Sequence, residues 1–525
     1  MQALALHPRY AGTVRGVLAA LCSDPETIHF RHGVLGDLLA LPALAEQLEQ
    51  ALPSVTAAAG AGAQRWAGES GVFQIAGRLS DLEAYVAAVR ALLAPLDAFR
   101  GELRAQGWLA LRDHLASLAA ADEFKALEAE LPALRAQLEQ ARSVTLGINL
   151  DAQLRPASAT LLGVSAERFG APRSLLGRLF GGEREAQHGQ TPLRQADERQ
   201  AFGPDRQLFL DLSQLLQEVV APVEAAMARF ARVQASLMSA LEGELAFFLG
   251  AARLVRQLRT EGYALNFPAI ASPEERVFRA RALYNLELAL RLRAEAARGR
   301  RSGDAQGAPE TPVPADAAFD EAGRIFVLTG PNRGGKTTFI RAVGLAQVLA
   351  QAGLPVPAAE ATVSPADQIF TLFPTAEATR TGMGRLDQEA AQLAGLFRSA
   401  TARSLVLLNE PFGSTSPREA IGIARDLLAG LRLLGARAIL VTHLHDLARD
   451  AESINAAVSG ASVVATLIAE VAPPAAGEQD SAVRTYRIIR GLPEASSHAA
   501  DIALAHGLQL DQIARTLRER GVLSE

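Results

Sequence analysis

Lysine and cysteine are almost absent from this chain. Of its 52 basic residues only Lys125 and Lys336 are lysine; the rest are arginine. Cys22 is the single cysteine, which excludes an intramolecular disulfide and a cysteine-based zinc site and fits a reducing cytoplasm. No run of about 18 apolar residues is present to form a membrane span. The N-terminus "MQALALHPRY" lacks the basic segment, apolar stretch and cleavage site of a secretion signal, so a cytoplasmic protein is expected. Excess positive charge is missing too. A formal net charge of -5 gives no whole-chain field for nucleic acid, so any such contact must come from a local patch.

What is present is enough chain for several domains: 525 residues, 49% hydrophobic and 21% charged. Residues 1–143 read as a helical core domain. In "RLSDLEAYVAAVRALL", Ser80 and Glu83 stand at capping-box spacing, and Leu82, Val86, Val89 and Leu93 share one face. The period then changes to two in "SVTLGINL", and "ATLLGVS" comes after a polar turn, which predicts a β-hairpin from Val144 to Val164. With the Gly-, Pro- and Arg-rich stretch after it, read as a mobile loop, this makes a segment 144–205. Residues 206–297 are read as long lever helices. Three- and four-residue apolar steps run from Val223 to Leu258, 36 positions, enough for a rod of roughly 50 Å. A Pro/Gly-rich linker spans 298–316, and 317–525 alternates short apolar strands with helices. The fold class is therefore mixed: an all-α core and lever with a small hairpin, then an α/β domain.

The chemistry concentrates in that last part. "RIFVLTGPNRGGKTTFIRAVG" gives an apolar strand, a glycine-rich turn and a helix, and Gly330, Gly334, Gly335, Lys336 and Thr337 fit G-x-x-x-x-G-K-[ST]. The glycines let backbone N–H groups approach phosphate oxygens, and the helix N-terminus favours the anion. Lys336 would reach the outer phosphates and Thr337 would ligate Mg²⁺. In a chain that otherwise uses arginine, a lysine at this slot argues for a compact ammonium that a guanidinium does not replace. The nucleotide cradle is read as Gly330, Pro331, Asn332, Arg333, Gly334, Gly335, Lys336, Thr337 and Thr338, with ATP and Mg²⁺ as cofactors. Further on, "SLVLLNEPFGSTSP" ends an apolar strand in Asn409 and Glu410, a position suited to a catalytic base that orients water. "ARAILVTHLHD" brings His443 to the same sheet edge, either to sense the γ-phosphate or to cap its strand.

Together these stretches resemble the MutS family of mismatch-repair ATPases, a branch of the ABC-type P-loop ATPases, which implies that 317–525 is an α/β P-loop ATPase domain of the ABC type. G-P-N-x-G-G-K-[ST] is met from Gly330 to Thr337, "THLHDL" is similar to T-H-x-x-[DE]-L, and "YRIIRGLPEASSHAADIALAHGL" to the pattern closing the family's ATPase domain. The likeness extends more loosely to "RHGVLGDLLALPAL", "LGINLDAQLRPASATLLGV" and "ALYNLELAL". It implies a homodimer through the ATPase domains, DNA binding, a role in mismatch repair or recombination, and possible repair or recombination proteins as partners. No membrane partner is implied.

Three departures qualify it. Asn409 stands where the family has aspartate, so Mg²⁺ held by Thr337, by Asn409 through water and beside Glu410 is expected to bind more weakly. "GRLDQE" aligns with S-T-F-M-x-E, which reaches across the dimer. Glu389 fits it, but Gly384 and Arg385 replace serine and threonine, so Arg380, Arg385 and Glu389 are candidates for the contact in trans. No mismatch-reading F-x-E occurs in the N-terminal region, and this reading expects neither that domain nor a nuclease extension. It therefore points to branched or distorted DNA rather than single mispairs. An ATP-switched scaffold that binds no DNA is the alternative; a transporter ATPase is disfavoured because L-S-G-G-Q is absent.

Overall fold

The structure is a computed structural model. It describes residues 2–60, 71–139, 143–150, 152–153, 156–165, 167, 236–302, 311–374, 384–413, 415–472, 483–493, 507 and 509–520. The expected loop 166–205 (except 167), the first part of the lever rod and Arg380 lie outside them.

The chain forms two compact units, 1–39 with 250–525 and 40–249. The second holds helices α3 (Pro42–Ala59), α4 (Gly71–Ala98), α5 (Gln106–Ala120) and α6 (Asp122–Glu139), which come after α1 (Ala11–Ala19) and α2 (Pro25–Ala40). Val86, Val89 and Leu93 are buried as their spacing predicts, with Leu44, Leu48 and Leu127 among the other core residues of these helices. The capping box at Ser80 is not formed. α4 runs straight through this position, Ser80 Oγ donates to the carbonyl of Ala76, and Glu83 instead accepts from Arg135 Nε at 2.8 Å. The motif was local, whereas the upstream turn of helix simply continued. Strands β1 (Ser143–Leu150) and β2 (Pro156–Ser165) form the expected antiparallel hairpin, with Val144 opposite Val164.

α7 (Ser236–Thr260) leads back into the first unit, where the expectation of lever helices to 297 fails. β3 (Ala269–Ile270) and β4 (Phe278–Leu283) lie there, before α8 (Leu286–Ser302). The cause is readable in "FRARAL": Phe278 and Ala280 are buried while Arg279 and Arg281 are exposed, a period of two. The linker is also shorter than composition suggested. α8 continues to Ser302, and β5 (Ala315–Phe319) already pairs antiparallel with β4.

The core of this unit is a six-stranded sheet in the order β12-β11-β6-β10-β9-β8. Its members are β6 (Ile325–Thr329), β8 (Ile369–Leu372), β9 (Leu405–Asn409), β10 (Arg437–Val441), β11 (Val464–Ala472) and β12 (Val483–Arg490). All neighbours are parallel except β11 and β12. β6, β9 and β10 are buried at every position, which is why they read as continuous apolar runs. A second sheet has the order β3-β7-β4-β5, with β7 at Glu360–Val363. Helices α9 (Lys336–Gln351), α10 (Arg385–Ser399), α11 (Pro417–Leu434), α12 (His445–Arg449), α13 (Ala451–Ala457) and α14 (Leu510–Glu519) complete the described elements.

Candidate nucleotide site

In parallel sheets, functional loops gather at the carboxyl ends of strands. Here β6, β10 and β9 are adjacent, and their ends bring together residues from three distant sequence stretches. β6 runs into the turn Gly330–Gly335 and then into α9. Gly330 has φ 132°, and a Cβ there would lie 2.9 Å from that of Ala469 on β11; Gly335 caps the helix at φ 89°. Gly330 has no room for a side chain and the positive φ of Gly335 favours glycine, so the turn lies close against β11, with the Gly334 amide donating to the Pro331 carbonyl at 3.2 Å.

Lys336, at the first helical position, is 5% exposed. Its Nζ donates to the carbonyls of Gly330 and Pro331, both at 2.8 Å. Burial pushes its pKa below the ordinary lysine value, while the charge of Glu410 opposes that shift. The next residue, Thr337, donates through Oγ1 to Asn409 Oδ1 at 3.2 Å. Glu410 leaves β9 with φ 54°, its amide donating to the Val441 carbonyl at 2.9 Å. Its Oε1 lies 2.8 Å from His443 Nε2, and both side chains are about two-fifths exposed. The structure thus brings together Lys336, Thr337, Asn409, Glu410 and His443. His445, which opens α12, has a buried Nδ1 with no hydrogen-bond partner, and burial followed by the charge of His443 lowers its pKa.

Beside this cluster lies a cavity of about 690 Å³, lined on one side by Asn332, Arg333, Gly334, Gly335, Lys336, Thr337, Thr338 and Glu410. Tyr284, Pro312, Val313 and Tyr486 contribute to the rest. Its size falls within the usual range for small-molecule sites. Asn285, 5% exposed, fixes one wall: Nδ2 donates to the Thr338 carbonyl and Oδ1 accepts from the Leu288 amide, both at 2.9 Å. Sequence reasoning assigned no role to these wall residues. Asn285 directly precedes Leu286, the start of α8, a polar cap position that is the one signal available.

Of the residues expected to act in trans, Arg385 and Glu389 lie on α10. Arg385 is the first residue of α10. Glu389 is 9% exposed, and its Oε2 accepts from the backbone amide of Phe412 in its own chain at 2.8 Å. Phe412 lies two residues past Glu410, so the glutamate is drawn inward by a buried donor that needs an acceptor. On α8, Arg293 pairs with Glu261 at 2.9 Å and Arg291 lines the cavity.

Among the described residues no group of three or more histidines, cysteines or carboxylates is arranged to hold a metal. Thr337 and Asn409 nonetheless offer oxygen atoms side by side next to Glu410. An all-oxygen, carboxylate-poor set suits magnesium, which is commonly held jointly with substrate phosphates.

Comparison with known proteins matches residues 326–514 to the model of MutS domain V and residues 23–261 to that of the MutS2 N-terminal domain. The chain is similar to the DNA mismatch repair protein MutS of Chlorobium chlorochromatii, 31% identical over 211 residues, 40% of this chain and 23% of that protein. It is 34% identical to the endonuclease MutS2 of Thermomicrobium roseum over 206 residues, 39% of this chain and 24% of the relative. To the DNA mismatch repair protein MutS 2 of Halobacterium salinarum it is 37% identical over 143 residues, 27% and 17% of the two chains. The matched stretch thus spans a quarter or less of these relatives. No described helix is long and apolar enough to cross a membrane.

Proposed function

We propose that this chain is a MutS-type ATPase of the cytoplasm that works as a homodimer through its ATPase domains and acts on DNA in mismatch repair or recombination. The observation that carries the reading is the convergence of Lys336, Thr337, Asn409, Glu410 and His443 at three adjacent strand ends beside one cavity. The stretch similar to MutS domain V contains all of them.

The geometry suits phosphate chemistry. Residues 332–338 of the turn and the first turn of α9 line the cavity, and the helix N-terminus there presents partial positive charge to phosphate oxygens. Lys336 already rests in the turn on two carbonyls, so an arriving phosphate exchanges neutral acceptors for charged ones. Glu410 accepts the proton of the attacking water, and His443, within hydrogen-bond distance, holds the carboxylate in place and reports on the outer phosphate. Magnesium would be held by Thr337, by Asn409 through water and near Glu410; when bound it neutralises phosphate charge. The base and sugar of the nucleotide pack against Pro312, Val313 and Tyr486 at the apolar side of the cavity. Turnover in the dimer repositions the remainder of the chain on branched or distorted DNA.

The test is ATP turnover by the wild type and Glu410→Gln, alone and with duplex, four-way-junction and single-stranded DNA. Glu410-dependent hydrolysis stimulated by one DNA class supports the proposal. Turnover insensitive to every nucleic acid would favour the scaffold, and no Glu410-dependent turnover would end the ATPase reading.

A further inference from the structure

The turn from Glu410 to Phe412 joins β9 to α11 in an uncommon conformation. Glu410 has φ 54° and Phe412 φ 65°, and neither is glycine. L-residues occupy this region at an energetic cost, and they persist there only where the surroundings over-determine them. Three restraints act here. The Glu410 amide donates to the Val441 carbonyl at 2.9 Å, which registers the beginning of the turn on β10. The Phe412 ring, 2% exposed, is seated in the core with Leu393, Leu396 and Leu408, which fixes its apolar end. The Phe412 amide itself, two residues past Glu410, donates to Glu389 at 2.8 Å.

That third restraint is a charged acceptor placed on an apolar face. Glu389, Leu393 and Leu396 are spaced four and three apart on α10 and are all buried. The buried stripe of this helix therefore begins with a carboxylate, whose burial is costly without a donor. A carboxylate–amide bond is shorter and stronger than a neutral one. Were Glu389 turned toward a second subunit, the Phe412 amide would be left buried without this acceptor. The direction in which the Glu410 side chain leaves the backbone depends on how the chain is held on both sides of it. The Val441 carbonyl fixes the peptide plane before Glu410, and the Phe412 ring in the core and Glu389 fix the turn beyond it.

The geometry points to Glu389 as a positioning residue for Glu410, acting in cis through the Phe412 amide. This rests on the reading of the site as an ATPase in which Glu410 is the base. Glu389 touches neither nucleotide nor water; it keeps the Glu410 carboxylate aimed at the mouth of the phosphate loop and at His443. A consequence is that α10 and the catalytic turn are mechanically joined. Displacing α10 by more than a hydrogen-bond length separates Glu389 from Phe412 and releases the turn, so hydrolysis, but not nucleotide binding, responds to where α10 sits.

The experiment compares the full chain with Glu389→Gln, Glu389→Ala and Glu410→Gln, measuring ATP turnover, affinity for a fluorescent ADP analogue, and melting temperature. Glu389→Ala is expected to lower kcat on the order of ten- to a hundredfold, the scale of a misplaced catalytic group, with KM and analogue affinity unchanged. Glu389→Gln, whose amide oxygen still accepts a hydrogen bond, is expected to restore part of that loss. Should the alanine variant not fold, hydrogen exchange of the Phe412 amide in Glu389→Gln replaces it: faster exchange together with lower kcat supports the role, and unchanged exchange or unchanged kcat overturns it. Wild-type turnover in folded Glu389→Ala, or a loss of nucleotide affinity in parallel with kcat, overturns the positioning role alone. If the wild type shows no hydrolysis dependent on Glu410, both this role and the ATPase reading fall together.

Discussion

Replacing Gln351 by leucine tests how the far end of the phosphate-loop helix is held. Gln351 ends α9 and is 1% exposed. Its Nε2 donates to the carbonyls of Cys22 at 2.9 Å and Ala366 at 2.7 Å. Its Oε1 accepts from the Ala366 amide at 3.1 Å and from Gln347 Nε2 at 2.8 Å. Leucine fills nearly the same volume but makes none of these bonds. Gln347 Nε2 keeps a second partner, the Ser364 carbonyl at 3.0 Å, so its loss is partial. The Ala366 carbonyl and amide lose a partner each in a buried setting, at about 1–3 kcal/mol for each group. The Cys22 carbonyl is less enclosed and contributes less. Against this, the new apolar side chain returns about 1 kcal/mol.

The net expectation is a loss of about 2–4 kcal/mol, which for a unit of this size corresponds to a fall in Tm of several degrees. Differential scanning calorimetry reads the loss, and hydrogen exchange at Ala366 locates it. Added ADP should still raise the Tm of the variant, because the phosphate loop lies at the opposite end of a 16-residue helix. Gln351→Glu should be worse than leucine, since it sets a carboxylate against two carbonyls. A Tm change below about one degree with unchanged exchange at Ala366 would refute the reasoning, because the network would then contribute nothing net.

Asn409→Asp restores a charge beside the Thr337 hydroxyl, and the Mg²⁺ concentration for half-maximal turnover is expected to fall about tenfold, equivalent to ~1.4 kcal/mol; an unchanged magnesium titration would count against Asn409 as a magnesium-linked group. His32 is pushed down to about 4 because it is half-buried and lies near His29; its Nε2 is buried without a partner and its ring packs on Phe267. The folded state therefore resists protonation that the unfolded chain accepts. Stability from this group is complete above about pH 6.5 and declines as pH falls toward 4, by at most ~3 kcal/mol and less because the ring is partly exposed. The acid branch of a Tm–pH profile should flatten in His32→Phe. Gly330→Ala adds a Cβ 2.9 Å from Ala469 at φ 132° and should weaken nucleotide binding at least tenfold by equilibrium titration.

How much was legible in the sequence depended on how far apart the cooperating residues lie. The order of strand, glycine-rich turn and helix at 325–351 is legible whole, since the three are contiguous and Gly330 answers a local need in its close approach to Ala469. Asn409, Glu410 and His443 were placed at strand ends because β9 and β10 are buried throughout and so stand out as apolar runs. The period of two in "FRARAL" is only six residues long and is flanked by helical periods, which mask it. Other features have no local signature. Gln351 bonds to a carbonyl 329 positions away, and that contact ties the N-terminal segment to α9. Glu389 fitted a motif by spacing, but a spacing cannot say which donor a carboxylate will face. The buried Phe412 amide decided it, because an unpaired donor in the core costs more than an exposed carboxylate gains from a distant partner. Where a motif residue also occupies the buried stripe of its helix, the stripe is therefore the better guide to its direction: at Glu389 it points into the chain that carries it.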